Sequence, residues 1–280
     1  MKLVTWNIQW GLGCDGRVDL RRIVETARAF CDADVFCFQE VSRGFAAHGG
    51  GEDQPTALAA LMPEYMAIFR PAVERVDENG NSQVFGNMIL SRLPVLQITS
   101  HMLPWPAEEV RSMQRQALEA VVAAGFGPIC VTTCHLEYHS STQRQAQVDH
   151  IRRLHEENTK RGQLAFRDAS QGPYRAIEKP VGSIVCGDFN FEPDDHLHAA
   201  MLKPFASNVP ALVDAWIAQH GETPHPPTAG VADADQWPQG PHCRDYIFVS
   251  EDLAERISGI QVDTETTACD HQPVAVALGT

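Results

Sequence analysis

Nothing in this chain of 280 residues approaches the roughly 20 consecutive apolar residues that a membrane-spanning helix needs. No Cys-x-x-C pair occurs, and no cysteine–histidine cluster has finger-like spacing, which argues against structural zinc of that kind. Basic residues are scarce: 22 Lys and Arg stand against 36 Asp and Glu, a formal net charge of −14. That balance disfavours tight, sequence-independent capture of nucleic acid, which rests on clustered cations that neutralise phosphates. No internal repeat or low-complexity tract is present. Met1-Lys2-Leu3-Val4 enters an apolar segment at once, leaving no room for a signal peptide, and a cytoplasmic location is expected. The eight cysteines are then expected to be reduced thiols. Cys37, Cys130, Cys134 and Cys186 lie inside apolar runs, where cysteine packs as a small hydrophobe.

What is present is polar punctuation at the ends of strands. The apolar run Gly182-Ser183-Ile184-Val185-Cys186 leads into Gly187-Asp188-Phe189-Asn190. The run reads as a buried strand, the glycine as a place where the backbone turns, and the next residues as a carboxylate and a carboxamide at the strand's edge. Such a pair suits a metal-activated water and the phosphate oxygen near it. Alone, it reads better as a strand end with an Asx turn. It is not alone. Asn7 follows Leu3-Val4-Thr5-Trp6, Gln39-Glu40 follows Val35 to Phe38, and His135 follows Ile129 to Cys134. Asp245 opens the run Tyr246 to Val249, and Asp270-His271 precedes Val274 to Leu278. Polar groups at this many strand ends point to one shared cleft.

In order and context, Trp6-Asn7, Gln39-Glu40, His135-Leu136, Gly187-Asp188-Phe189-Asn190, Asp245-Tyr246-Ile247 and Asp270-His271-Gln272-Pro273 resemble the signature of the endonuclease/exonuclease/phosphatase superfamily. That group includes deoxyribonuclease-I-like nucleases, apurinic-site endonucleases, sphingomyelinases and inositol-phosphate 5-phosphatases. Asn87 to Val95 is similar to the group's G-N-A-I-L-S-R-x-P strand. Each element is short; their order over residues 4 to 276 carries the resemblance. Gly-Asp-Phe-Asn-x-x-Pro, Gly187 to Pro193, lies nearer the sphingomyelinase and phosphatase side, and Thr133-Cys134-His135-Leu136 departs from the tyrosine-bearing context of apurinic-site endonucleases.

The resemblance implies an α/β (α+β) fold: a four-layer sandwich of two packed, mostly antiparallel β-sheets flanked by helices. Residues 1–280 are expected to form a single catalytic domain, because the motifs reach both ends. The implied chemistry is divalent-metal-dependent hydrolysis of a small phosphodiester or phosphomonoester, with water attacking phosphorus in line. Action on nucleic acid is the alternative. A catalytically inactive binding member would lack a site residue, and none is missing. Glu40, Asn7 and Asp270 are the expected ligands of Mg2+, for which Mn2+ can substitute. Asp188 would orient or deprotonate the water, with Asn190 hydrogen-bonding it or the phosphate. His271 would act as base or donor, its tautomer held by Asp245, and His135 would stabilise the transition-state charge. In some nucleases a second acid orients the first histidine; Glu74, Asp77 and Glu78 are the nearest candidates here. His135-x-Glu137-x-His139 has its glutamate at the wrong offset for a zinc-protease helix and follows a strand, so that reading is rejected. His196, His198, His225 and His242 have no assigned role.

Helices are expected where Leu20, Ile23, Val24 and Ala27 recur, after a Ser140–Gln143 capping box, and from Asp194 and Asp195 to Pro204. Arg144, Arg152, Arg153, Lys160 and Arg161 would form a solvated helix face. Leu118 to Ala124 and Ile129 to Thr133 read as a hairpin across Gly125 to Pro128. Residues 42–55, 161–180 and 220–243 are expected loops that select substrate, and Trp105 is an exposed aromatic.

Overall fold

The computed structural model describes residues 1–164, 172–175, 177–178, 180–206 and 208–279. Residues 165–171, 176 and 179 of the expected loop at 161–180 therefore lie outside the described residues. Two six-stranded sheets pack face to face. The first holds β1 (Lys2–Asn7), β2 (Val35–Arg43), β3 (Met66–Val76), β4 (Ser82–Ser91), β11 (Ile257–Val262) and β12 (Val274–Leu278), in the order β11-β12-β1-β2-β4-β3. The second holds β5 (Val95–Met102), β6 (Gln116–Ala124), β7 (Gly127–His135), β8 (Gly182–Asp188), β9 (Leu212–Asp214) and β10 (Asp245–Ser250), in the order β5-β6-β7-β8-β10-β9. Each sheet contains one parallel pair, β1–β2 and β7–β8; the other pairings are antiparallel. The helices α1 (Leu20–Phe30) and α3 (Ser141–Gln163) supply the crossovers that parallel neighbours require.

The strands read as apolar runs because both faces are covered. Leu3, Val35, Cys37, Ile129, Val131, Ile184 and Cys186 point between the sheets. Their sequence neighbours Val4, Phe36 and Phe38 face α1 and α2 (Gln54–Leu61), while Val185 packs with Val148 and Ile151 of α3 and Leu197 and Met201 of α4 (His196–Leu202). This side-to-side alternation within each run makes the layers helix, sheet, sheet, helix. Two short helices, α5 (Ala215–His220) and α6 (Glu251–Ala254), complete the described α-helices.

Local expectations hold with four differences. The hairpin turn is tighter than read: Ala124 pairs with Gly127, so only Gly125 and Phe126 lie outside the ladder. Ser140 Oγ accepts the Gln143 amide at 3.0 Å, but the Gln143 side chain donates to Pro106 O, so only half of the capping box forms. The basic face of α3 is partly engaged. Arg144 donates to the carbonyls of Glu137 and Tyr138, and Arg152 to those of Met201 and Lys203. Within 42–55, β2 continues to Arg43 and α2 starts at Gln54, leaving a shorter connection. Trp105 is 50% exposed, as expected.

Candidate active site

Both parallel pairs end on the same rim of the sandwich, where polar side chains from the two sheets meet. Asp188 closes β8 between two strand ends, in register with His135 on β7 and Asp245 on β10. Gly187 makes that approach feasible. Its φ is +136°, and a Cβ there would sit 1.9 Å from the Cys134 carbonyl oxygen. Asp188 Oδ1 then accepts the Asn190 amide at 2.9 Å, an Asx turn. Asn190 adopts the left-handed region at φ 54°, which asparagine tolerates.

On the opposite sheet Asn7 ends β1 in register with Gln39. Glu40 does not end its strand, as the sequence suggested; it lies inside β2, at a register shift between Phe38 and Val41. Its φ of 61° is uncommon for a non-glycine residue and re-aims the side chain at the cleft. Gln39 instead turns inward and donates to the hydroxyls of Thr5 and Thr133 at 3.0 and 2.8 Å.

One oxygen gathers the site. Asp188 Oδ2 accepts from Asn7 Nδ2 at 3.0 Å and lies 3.5 Å from His135 Nε2 and 3.8 Å from His271 Nε2. Asn7 Nδ2 also donates to Glu40 Oε1 at 3.1 Å, and His135 Nδ1 is 3.8 Å from that same oxygen. Asp245 Oδ2 is 2.9 Å from His271 Nδ1. Asp270 Oδ2 accepts from Gln236 Nε2 at 2.9 Å and Trp237 Nε1 at 3.0 Å. The long loop after α5 therefore reaches a site residue directly. Asn7 Oδ1 accepts the Gln9 amide at 3.1 Å, so its amide nitrogen, rather than the oxygen a metal would need, faces the carboxylates.

The electrostatics separate these groups. Burial, reinforced by the Asp270 charge, lifts the Glu40 carboxyl to about 7 despite the Asn7 hydrogen bond. Burial and the Arg115 guanidinium depress His135 to about 3, against the pull of Asp188. Burial would raise Asp188, but the imidazoles of His135 and His271 and the Asn7 amide outweigh it and hold it below the usual carboxylate range. Burial would depress His271, yet Asp245, Asp270 and Asp188 together hold it well above the ordinary imidazole value. The cleft thus presents an ionised Asp188, a neutral His135 and a cationic His271. The half-buried Glu40 and the buried Asp270 are hard-oxygen donors whose mutual repulsion a divalent cation would relieve.

None of the acids considered for His135 reaches it. Glu74 pairs opposite Val84 and accepts from Ser82 Oγ, Asp77 binds the amides of Asn79 and Asn81, and Glu78 is exposed beside it. The carboxylates facing His135 are Glu40 and Asp188, because β3 lies at the far edge of its sheet. Glu137 is engaged by Arg115 at 3.1 Å, consistent with rejecting a His-x-Glu-x-His zinc site. Arg244 was not anticipated. Its guanidinium carbon lies 5.2 Å from the ring centroids of both Tyr138 and Trp237, and Nη1 is 3.4 Å from Asn190 Oδ1. Its position directly before Asp245 was the available signal. Among the described residues it forms no ion pair with a carboxylate.

Residues 4–266 match the model of the Endonuclease/Exonuclease/phosphatase family. An endonuclease/exonuclease/phosphatase from Beutenbergia cavernae shares the fold, with 22% identity and a TM-score of 0.70 over 100% of this chain and 72% of that one. The human Nocturnin catalytic domain gives 18% and 0.63, over 99% and 92% of the two chains. The Bacteroides thetaiotaomicron mannosyl-6-phosphatase gives 17% and 0.67, over 100% of both. Comparison with curated proteins finds no match. With that family match over nearly the whole sequence and its motifs assembled on one rim, the chain belongs to the endonuclease/exonuclease/phosphatase family, whose members hydrolyse phosphodiester or phosphomonoester bonds.

Proposed function

We propose that this protein hydrolyses a small phosphate ester with the help of Mg2+, or Mn2+ in its place, held by Glu40 and Asp270. The observation that carries this reading is the convergence on Asp188 Oδ2 of Asn7, His135 and His271 within 3.0 to 3.8 Å. When bound, the cation neutralises the phosphate and the departing oxygen. Asp188, ionised and aimed into the cleft, orients the attacking water and accepts hydrogen bonds from it. His271 is the donor rather than the base: its proton is stabilised by three carboxylates and is available to a phosphate oxygen. Asp245 holds the His271 ring through Nδ1, leaving Nε2 for the substrate side. His135, kept neutral, donates one N–H without bringing a second full charge. Asn190 donates to Leu136 O at 2.9 Å, which keeps one amide hydrogen for the phosphate.

Asn7 acts here as the bridge that spaces the Glu40 and Asp188 carboxylates rather than as a ligand. Arg244, without a carboxylate partner among the described residues and packed against two aromatic rings, suits the remaining phosphate oxygens. Residues 1–280 are one catalytic unit in this reading, because each sheet supplies indispensable groups. The eight free thiols suit a reducing, cytoplasmic setting. A panel of bis-p-nitrophenyl phosphate, p-nitrophenyl phosphate, plasmid DNA, RNA and phospholipid, each with Mg2+ or Mn2+, tests the proposal. Turnover of a small ester that is lost in Asp188→Asn supports it. Turnover of nucleic acid alone replaces it with a nuclease.

A further inference from the structure

A second cluster lies on the other side of β10 from the cleft and takes no part in the chemistry above. His198 Nε2 and His225 Nε2 both reach Asp214 Oδ2, at 2.8 and 2.9 Å, and the three donor atoms lie within 4.8 Å of one another. They come from α4, from the end of β9 and from the loop after α5. The other carboxylate oxygen, Asp214 Oδ1, is fixed by the first-turn amides of Trp216 and Ile217 at 2.7 and 3.2 Å. Asp214 is only 2% exposed, and among the described residues no Lys or Arg forms an ion pair with it. Both imidazole nitrogens are thus already gathered on one buried carboxylate oxygen whose partner oxygen is held by backbone amides.

We propose that His198, Asp214 and His225 bind a divalent transition-metal ion of the zinc type, distinct in chemistry from the hard-cation site at Glu40 and Asp270. Two imidazole nitrogens and one carboxylate oxygen are a common three-residue zinc set, with a fourth position left for water. Imidazole-rich sites select such ions over Mg2+ and Ca2+. A tetrahedral ion with ligand bonds of about 2.0–2.2 Å holds its donors roughly 3.4 Å apart. The two hydrogen bonds to Asp214 Oδ2 need to open by only about half an ångström to admit it. Each ring would then carry its proton on Nδ1. The carboxylate is already oriented from behind by α5, as outer partners orient metal ligands. A cavity of about 10 Å³, room for about one water, is lined in part by Asp214 and His225. His225, on the loop and partly exposed, is the side from which the ion enters. The rings of Tyr246 and Phe248 beside His198, at 5.4 and 5.8 Å between centroids, keep the other side dry.

The test is zinc retention by the full chain after chelation, reloading at roughly micromolar free Zn2+ with excess Mg2+, and removal of unbound ion. Elemental analysis and the visible absorption of a Co2+-substituted sample are read for the wild type, His225→Ala, Asp214→Asn and Glu40→Gln. The proposal expects about one Zn2+ per chain in the wild type and in Glu40→Gln. It expects intense tetrahedral Co2+ bands, and loss of both signals in His225→Ala, which changes the most accessible ligand and should remain folded by circular dichroism. Zinc retained equally by His225→Ala, no zinc retained by the wild type, or signals lost only in Glu40→Gln would each overturn it. A zinc-dependent rise in melting temperature present in the wild type and absent in His225→Ala provides a readout independent of catalysis.

Discussion

Asp245 Oδ2 sits 2.9 Å from His271 Nδ1, joining the first residue of β10 to the segment that precedes β12 in the opposite sheet. The contact fixes the ring and leaves Nε2 pointing toward Asp188, 3.8 Å away. Removing either partner should disable the same function. Asp245→Asn and His271→Ala are each expected to lower kcat by roughly 100- to 10,000-fold, and the double mutant by little more than the worse single change. The measurement is kcat for all three on the best panel substrate; multiplicative losses would show two independent contributions.

If Glu40 holds the proposed cation, it links pH to cation binding. Its carboxyl, lifted from the ordinary 4.5 to about 7, must lose its proton before it can serve a cation. Apparent Mg2+ affinity should therefore fall about tenfold per pH unit below 7 and level off above it. The sign for stability follows the same window. The folded chain holds this proton between 4.5 and about 7 while the unfolded chain releases it. The group's contribution is thus complete below 4.5 and lost as pH rises through 7. The Mg2+-induced rise in melting temperature should be larger near pH 8 than near pH 5.5. An increment independent of pH, or one unchanged in Glu40→Gln, would contradict this assignment.

Arg244 is expected to bind phosphate rather than support the fold. Arg244→Ala should lower kcat/KM by about 10- to 100-fold, the scale of one charge-assisted contact, and Arg244→Lys should recover only part of it, since lysine cannot reproduce the planar fork. Equal melting temperatures for the three proteins, with kcat/KM unchanged, would remove Arg244 from the site.

Gly187 carries a structural prediction. Alanine there needs an unfavourable φ of +136° and a Cβ 1.9 Å from the Cys134 oxygen. Gly187→Ala should cost about 3 kcal/mol or more in urea unfolding, because the β7–β8 ladder must open to admit it. A loss below about 1 kcal/mol would mean that the strand end relaxes freely.

Much of this architecture was legible because its signals are local. The runs at Leu3, Val35, Ile129 and Ile184 are apolar on both faces, and each leads to a polar residue that reaches the rim. Motif order then brought Asn7, Glu40, His135, Asp188, Asp245, Asp270 and His271 into view. Four features were not legible. The bulge at Glu40 depends on pairing with β4, which no local pattern in β2 reveals. The hold of Gln236 and Trp237 on Asp270 depends on the path of a long loop, which composition does not specify. The Arg244 position needed the Tyr138 and Trp237 rings, from distant parts of the chain, to be placed around it. The direction of the Asn7 amide is likewise set by Gln9 and two carboxylates, not by the Trp6-Asn7 motif.

The central claim is cation-dependent hydrolysis of a small phosphate ester at the rim built around Asp188. Its most direct measurement is steady-state turnover of bis-p-nitrophenyl phosphate and p-nitrophenyl phosphate by the wild type and Glu40→Gln, with Mg2+ and with EDTA. The account predicts wild-type turnover of at least one ester with Mg2+, none in EDTA, and a sharp loss in Glu40→Gln partly restored at high Mg2+. Full wild-type activity in EDTA, or an unimpaired Glu40→Gln enzyme, would contradict it.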